Sequence, residues 1–130
     1  MKKVYACFCT DVIHEGHLNI IHEAKKYGKV IAGVLSDAAM IRYNHFPTVS
    51  FEERKKMLEQ IPEVDEVVVQ NEVMYGNILE QIKPDYVIHG DNWLNDPMEV
   101  IRDNAIENLA KWGGQLIEVP YTYNEQVKNI

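Results

Sequence analysis

The chain has 130 residues, with 13 Lys and Arg against 20 Asp and Glu for a net charge of −7, and 46% of it is hydrophobic. This length suits a single domain over residues 1–130, large enough to bury a core and too short for two independent ones. The acidic balance argues against a general nucleic-acid binder, which carries a basic face, and no apolar run approaches the ~20 residues that span a bilayer. The start Met1-Lys2-Lys3-Val4-Tyr5 leads into too short an apolar stretch for a signal peptide. Cys7 and Cys9 stand two apart at a predicted strand and are not expected to pair. Reduced thiols suit a cytoplasmic protein.

Val4 to Phe8 reads as a buried strand, and Gly16 to Tyr27 as a helix ended by Gly28, with Leu18, Ile21 and Ala24 on its apolar face. Lys29 to Leu35 is a second strand, continuously apolar as buried parallel strands are. Ser50-Phe51-Glu52-Glu53 is a capping box opening a helix that runs to about Gln60, before Pro62. Asp65 to Gln70 is a third strand. A helix over Asn77 to Lys83 stops at Pro84, and Asp85 to His89 is a fourth strand running into Gly90. Asp96-Pro97 starts a helix with Asp as cap and Pro at the first helical position. Val100, Ile101, Ala105, Leu109 and Trp112 give that helix a core face, and Gly113-Gly114 ends it. Leu116 to Val119 is a fifth strand. Five strands separated by helices imply a doubly wound, Rossmann-like α/β fold with a five-stranded parallel sheet. Ligands of such sheets bind at the carboxyl ends of the strands, where strand order reverses.

That rule directs attention to Cys9-Thr10-Asp11-Val12-Ile13-His14-Glu15-Gly16-His17, between the first strand and the first helix. A helix start offers unpaired amides and the positive end of the dipole to a phosphate. Gly16 allows close approach of a ligand to the backbone. His14 and His17, three apart, can face one anion, donate to its oxygens and gain charge as a transition state does. Two His are too few ligands for a structural zinc site.

His14-Glu15-Gly16-His17 resembles the His-x-Gly-His signature of the nucleotidyltransferase superfamily. Asp11, Phe51-Glu52-Glu53-Arg54-Lys55, Val64-Asp65-Glu66-Val67 and His89-Gly90-Asp91-Asn92-Trp93 extend the resemblance, in order, toward its cytidylyltransferase branch. Lys83 to Asp91, Trp112-Gly113-Gly114 and Glu118 to Thr122 look like the cytidylyltransferase domains associated with phosphoenolpyruvate mutase in phosphonate biosynthesis. The end at Asn129-Ile130 would suit a domain taken from such a longer polypeptide.

The resemblance implies attack by a phosphate or phosphonate oxygen on the α-phosphorus of CTP, with release of pyrophosphate. His14 and His17 would be catalytic, holding the triphosphate and stabilising charge at the transferring phosphorus. Cys9, Thr10, Glu15 and Gly16 would belong to the phosphate cradle, and Gly90, Asp91, Trp93, Tyr121 and Thr122 to the nucleotide's surroundings. Asp11 would organise the His pair, or is simply a loop-turn residue. Arg54 would add a fixed charge, or pairs with Glu53 or Asp37. Mg²⁺ is expected to travel with CTP, bridging phosphates, with no metal-ligand set in the protein. A homodimer is implied by the family alone. His89 reads as structural, His22 as solvated, and Trp112 as packing.

Three departures stand out. The family's Gly-Thr-Phe before Asp11 is here Phe8-Cys9-Thr10. The loop after the second strand, Tyr43-Asn44-His45-Phe46-Pro47, lacks the family's Lys, leaving Arg42 and His45 as substitutes. Tyr123-Asn124-Glu125-Gln126 stands where a Gly-Ile-Ser-Ser-Thr segment would follow Tyr121-Thr122. Three readings therefore compete: a cytidylyltransferase for a small phosphonate or phosphate, a weak or inactive nucleotide-binding module attached to a mutase-like domain, and an adenylyltransferase of the same superfamily.

Overall fold

The computed structural model describes residues 2–8, 15–42, 46–91 and 99–120. In chain order these form β1 (Lys3–Phe8), α1 (Glu15–Lys25), β2 (Lys29–Leu35), α2 (Asp37–Arg42), α3 (Phe51–Glu59), β3 (Glu66–Gln70), α4 (Gly76–Ile82), β4 (Tyr86–Gly90), α5 (Glu99–Ala110) and β5 (Gln115–Val119). The strands make one parallel sheet in the order β3-β2-β1-β4-β5. Strand order therefore reverses beside β1, whose partners are β2 and β4, and the crevice of an open α/β sheet belongs at the carboxyl ends there.

Alternation along β1 divides the core. Val4, Ala6 and Phe8 pack with Ile20, Ile21 and Ala24 of α1 and Leu58 of α3. Tyr5 turns to the opposite face, against Tyr75, Ile78 and Leu79 beside α4 and Ile101, Ala105 and Leu109 of α5. Both faces being covered explains why the strands read as nearly unbroken apolar runs.

Two glycines are fixed by close approach. Gly28 has φ +153°, and a Cβ there would lie 2.2 Å from the Lys2 carbonyl oxygen, so the turn into β2 excludes a side chain. In β2 a Cβ on Gly33 would lie 1.9 Å from the Tyr5 hydroxyl. The phenol uses that gap to donate to Gln70 Oε1 at 2.6 Å, and Gln70 Nε2 donates to the Glu72 carbonyl at 2.7 Å. Burial, first among the causes, raises the Tyr5 pKa well above 10, so the phenol keeps the proton that it donates.

The helix faces differ from expectation at two positions. Leu18 is exposed; the buried seam of α1 is Gly16, Ile20 and Ala24, spaced four apart, with Ile21 beside it. Val100 is likewise exposed while Ile101, Ala105 and Leu109 are buried. Trp112 packs as expected, its indole donating to the Pro84 carbonyl at 2.8 Å. The Ser50 hydroxyl accepts from the Glu53 amide at 3.3 Å, as a capping box requires. An additional helix, α2, follows β2; Ser36 Oγ accepts from the Ala39 amide at 3.2 Å at its start. The expected helix start at Asp96-Pro97 lies outside the described residues.

Asp65 ties the entry of β3 to β2. Its Oδ2 accepts from Lys25 Nζ and from the Val30 amide, both at 2.8 Å. The Lys25 hydrogen bond, followed by that from Val30, holds its carboxyl below the usual value. A carboxylate depressed by folding adds stability above its unfolded pKa of about 3.9, and that stability is lost as pH falls through the folded value. Asp65→Asn is expected to flatten the acid limb of the stability curve below about pH 4. Urea midpoints from about pH 2 to 7 check this, and an acid limb identical to that of the parent would reject it.

Candidate active site

The candidate site lies where the carboxyl ends of β1 and β4 meet the start of α1. Because α1 packs its seam on the sheet, its first turn, Glu15-Gly16-His17, follows the carboxyl end of β1 after the connection 9–14. Gly16 is buried, His17 half-buried and Glu15 exposed. The His17 ring meets the ring of Phe8 nearly at right angles, with centroids 5.8 Å apart and an interplanar angle of 77°. Cys9, Thr10, Asp11 and His14 lie outside the described residues, as do His45, Trp93, Tyr121 and Thr122.

On the other side of the reversal, β4 ends in His89-Gly90, followed by exposed Asp91. His89 Nδ1 lies 2.7 Å from the Gly90 carbonyl oxygen. Burial, the leading cause, lowers its pKa below 6.5, so the ring is neutral at pH 7 and Nδ1 is the protonated nitrogen that donates. The structural reading of His89 fits this placement. Its register neighbour Glu118 on β5 accepts from Arg102 Nε at 2.9 Å and Nη2 at 2.8 Å.

Arg54 is placed inward rather than toward an open crevice. Only 2% exposed, it donates through Nη1 to the Leu35 carbonyl at 2.7 Å and through Nε to the Val49 carbonyl at 3.2 Å. Its Nη2 pairs with Asp37. Of the alternatives open in the sequence, pairing with Asp37 is the one the fold realises, because Leu35 to Asp37 closes the end of β2 over α3. The guanidinium thereby has three partners, the Leu35 and Val49 carbonyls and Asp37. His22 is solvated, with its side chain 63% exposed and Nδ1 3.7 Å from Glu63. Arg42 is exposed at the end of α2.

Sequence reasoning missed Phe8 as a neighbour of His17, and Gln70, which is 2% exposed and braces the turn after β3. A buried Gln ending a strand was the one available signal. Among the described residues no group of three or more His, Cys, Asp or Glu could hold a metal ion. A magnesium ion held mainly by phosphate oxygens requires no such cluster. Also among the described residues, no helix is long and apolar enough to cross a membrane.

A parallel sheet whose order reverses beside β1, with a His in the first turn of the following helix, defines a phosphate- or nucleotide-handling α/β domain. The chain belongs to the cytidylyltransferase-like family, whose model matches residues 6–126, and it is a nucleotidyltransferase-type enzymatic domain. It is 30% identical over 121 residues to an FAD synthase of Ferroglobus placidus, covering 83% of this chain and 80% of that protein. It is 29% identical over 126 residues to an ethanolamine-phosphate cytidylyltransferase of Arabidopsis thaliana, covering 92% of this chain but only 29% of that protein. In fold it is similar to the lipopolysaccharide core biosynthesis protein of Thermoplasma volcanium, with a TM-score of 0.74, 22% identity, and coverage of 94% and 97%.

Proposed function

We propose that the chain transfers a nucleoside monophosphoryl group from a nucleoside triphosphate to a small phosphorylated acceptor. An acceptor phosphate or phosphonate oxygen attacks the α-phosphorus, the α–β bridging bond breaks, and pyrophosphate leaves. The observation that carries this reading is His17, half-buried in the first turn of α1 beside the strand-order reversal, within the span the family model matches. His14 and His17 hold the triphosphate and offset charge that grows on the transferring phosphoryl group. Glu15, Gly16 and the backbone of Cys9 and Thr10 form the cradle, with Asp11 ordering the His pair. Gly90, Asp91, Trp93, Tyr121 and Thr122 surround the nucleoside. Mg²⁺ bound to the triphosphate supplies charge neutralisation. The expected form is a cytoplasmic homodimer.

ATP is the nucleotide that the likeness to an FAD synthase supports, since that likeness covers most of both chains and FAD contains an adenylyl group. CTP is the second reading, favoured by the motifs running from Phe51 to Lys55 and from His89 to Trp93 and by the likeness to an ethanolamine-phosphate cytidylyltransferase. The test is pyrophosphate release with MgATP or MgCTP across a panel holding flavin mononucleotide, phosphoethanolamine, a sugar 1-phosphate and 2-aminoethylphosphonate. Release with one acceptor and ATP is the expected result. Preference for CTP would establish the cytidylyl reading, and a phosphonate acceptor would place the domain in phosphonate metabolism. Silence with both nucleotides bound would reject transfer in favour of a binding module, such as one attached to a mutase-like domain.

A further inference from the structure

We propose that Phe8 is a positioning residue for His17, its ring fixing the orientation in which the imidazole meets a phosphate; the proposal rests on the reading of His17 given above. Phe8 ends β1 and is 4% exposed. It belongs to the core cluster that holds Ile20 and Ile21 of α1, Val34 of β2 and Leu58 of α3. A side chain confined within such a cluster has little rotamer freedom of its own.

His17 is the third residue of α1 and half-buried, and an imidazole near a helix surface can reach several staggered orientations. The ring of Phe8 limits them. The T-shaped contact, with centroids 5.8 Å apart and planes at 77°, is an arrangement that aromatic pairs prefer, so a rigid core residue constrains the orientation of the imidazole. A phosphate ligand must be held within about 0.5 Å of its productive position to act on charge that develops there. Leu or Met at position 8 would fill most of the same volume yet present no ring edge or face. The strand carries the positioning group and the helix carries the group positioned, and their separation of nine positions in sequence conceals the pairing.

The experiment follows the His17 imidazole by ¹H–¹³C NMR, assigned with His17→Ala, in the parent protein, Phe8→Leu and Phe8→Met. Inorganic pyrophosphate serves as the probe, and thermal melts establish that each variant is folded. Without the probe, both variants are expected to shift the His17 resonance through loss of the Phe8 ring current. Both are expected to bind pyrophosphate roughly 3- to 10-fold more weakly, the range that an aromatic pair's preference supports. Should Phe8→Leu fail to fold, the more nearly volume-conserving Phe8→Met carries the test. A folded variant with an unmoved His17 resonance, or with the parent's pyrophosphate affinity, overturns the proposal. If pyrophosphate leaves the His17 resonance of the parent unmoved, the assignment of His17 to phosphate fails and this inference falls with it. A parent response fully preserved in the variants removes the role of Phe8 alone.

Discussion

Replacing His14 and His17 together with alanine is expected to lower nucleotidyl transfer by about 1000-fold or more, while leaving thermal stability nearly unchanged. In a direct displacement at phosphorus the protein forms no covalent bond, so its contribution is positioning and charge stabilisation. Loss of one preorganised donor at a developing charge costs about 10²- to 10³-fold. If, as proposed, the two imidazoles serve one triphosphate, their effects do not add, and the double variant should fall only a little below the worse single one. Stability should hold because His17 is half-buried and sits beside, not within, the seam of Gly16, Ile20 and Ala24. His22→Ala provides the control: it alters the same helix at a solvated position and is expected to leave the rate within about twofold. Steady-state pyrophosphate release with the acceptor found in the panel, together with melting curves, checks all four variants. A double variant that keeps the parent rate would mean that the chemistry belongs to other residues.

The parallel sheet was legible because its inner strands β1, β2 and β4 are largely buried and read as apolar runs, with helices ended by residues such as Gly28 and Pro84. The helix faces were less legible. Leu18 and Val100 are apolar residues near helix starts, and only their exposure in the fold shows that they point outward. The six-residue α2 is too short for periodicity to reveal, and its one signal was the cap at Ser36. The signature around Gly16 was easy to read, since strand, turn and helix start are local in sequence. The contact of Phe8 with His17 was not legible, because it joins residues 9 apart across the end of β1 and the start of α1, whereas the pairing of Arg54 with Asp37, 17 apart, was one of the alternatives the sequence offered. For Arg54 the sequence supplied two candidate acids and a possible ligand, and the fold chose between them by where β2 ends.

That choice gives the second large effect. Arg54→Met is expected to destabilise the protein by about 3 kcal/mol, with loss of most of that stability also in Arg54→Lys. The guanidinium meets the Leu35 carbonyl, the Val49 carbonyl and Asp37 at once, and it lies over the Phe51 ring with Cζ 5.8 Å from the ring centroid. Methionine fills much of the space but leaves both carbonyls without these donors, at about 1–3 kcal/mol for a buried unpaired group. Lysine keeps the charge, yet a compact ammonium cannot reproduce a planar fork aimed at separated acceptors. Asp37→Ala should cost less, about 1–2 kcal/mol, despite leaving the cation with one partner fewer. The Asp37 side chain is 49% exposed, so water can replace much of what its carboxylate supplies, whereas water has no such access to Arg54. The ordering Arg54→Met above Asp37→Ala is therefore the diagnostic result, read from urea unfolding. The same variants separate scaffold from ligand contact. If Arg54→Met unfolds with parent stability but loses affinity for MgATP and MgCTP, Arg54 acts on the nucleotide, as the resemblance implied. If stability falls and the folded fraction retains its nucleotide affinity, the buried guanidinium holds the end of β2, the start of α2 and the approach to α3 in place.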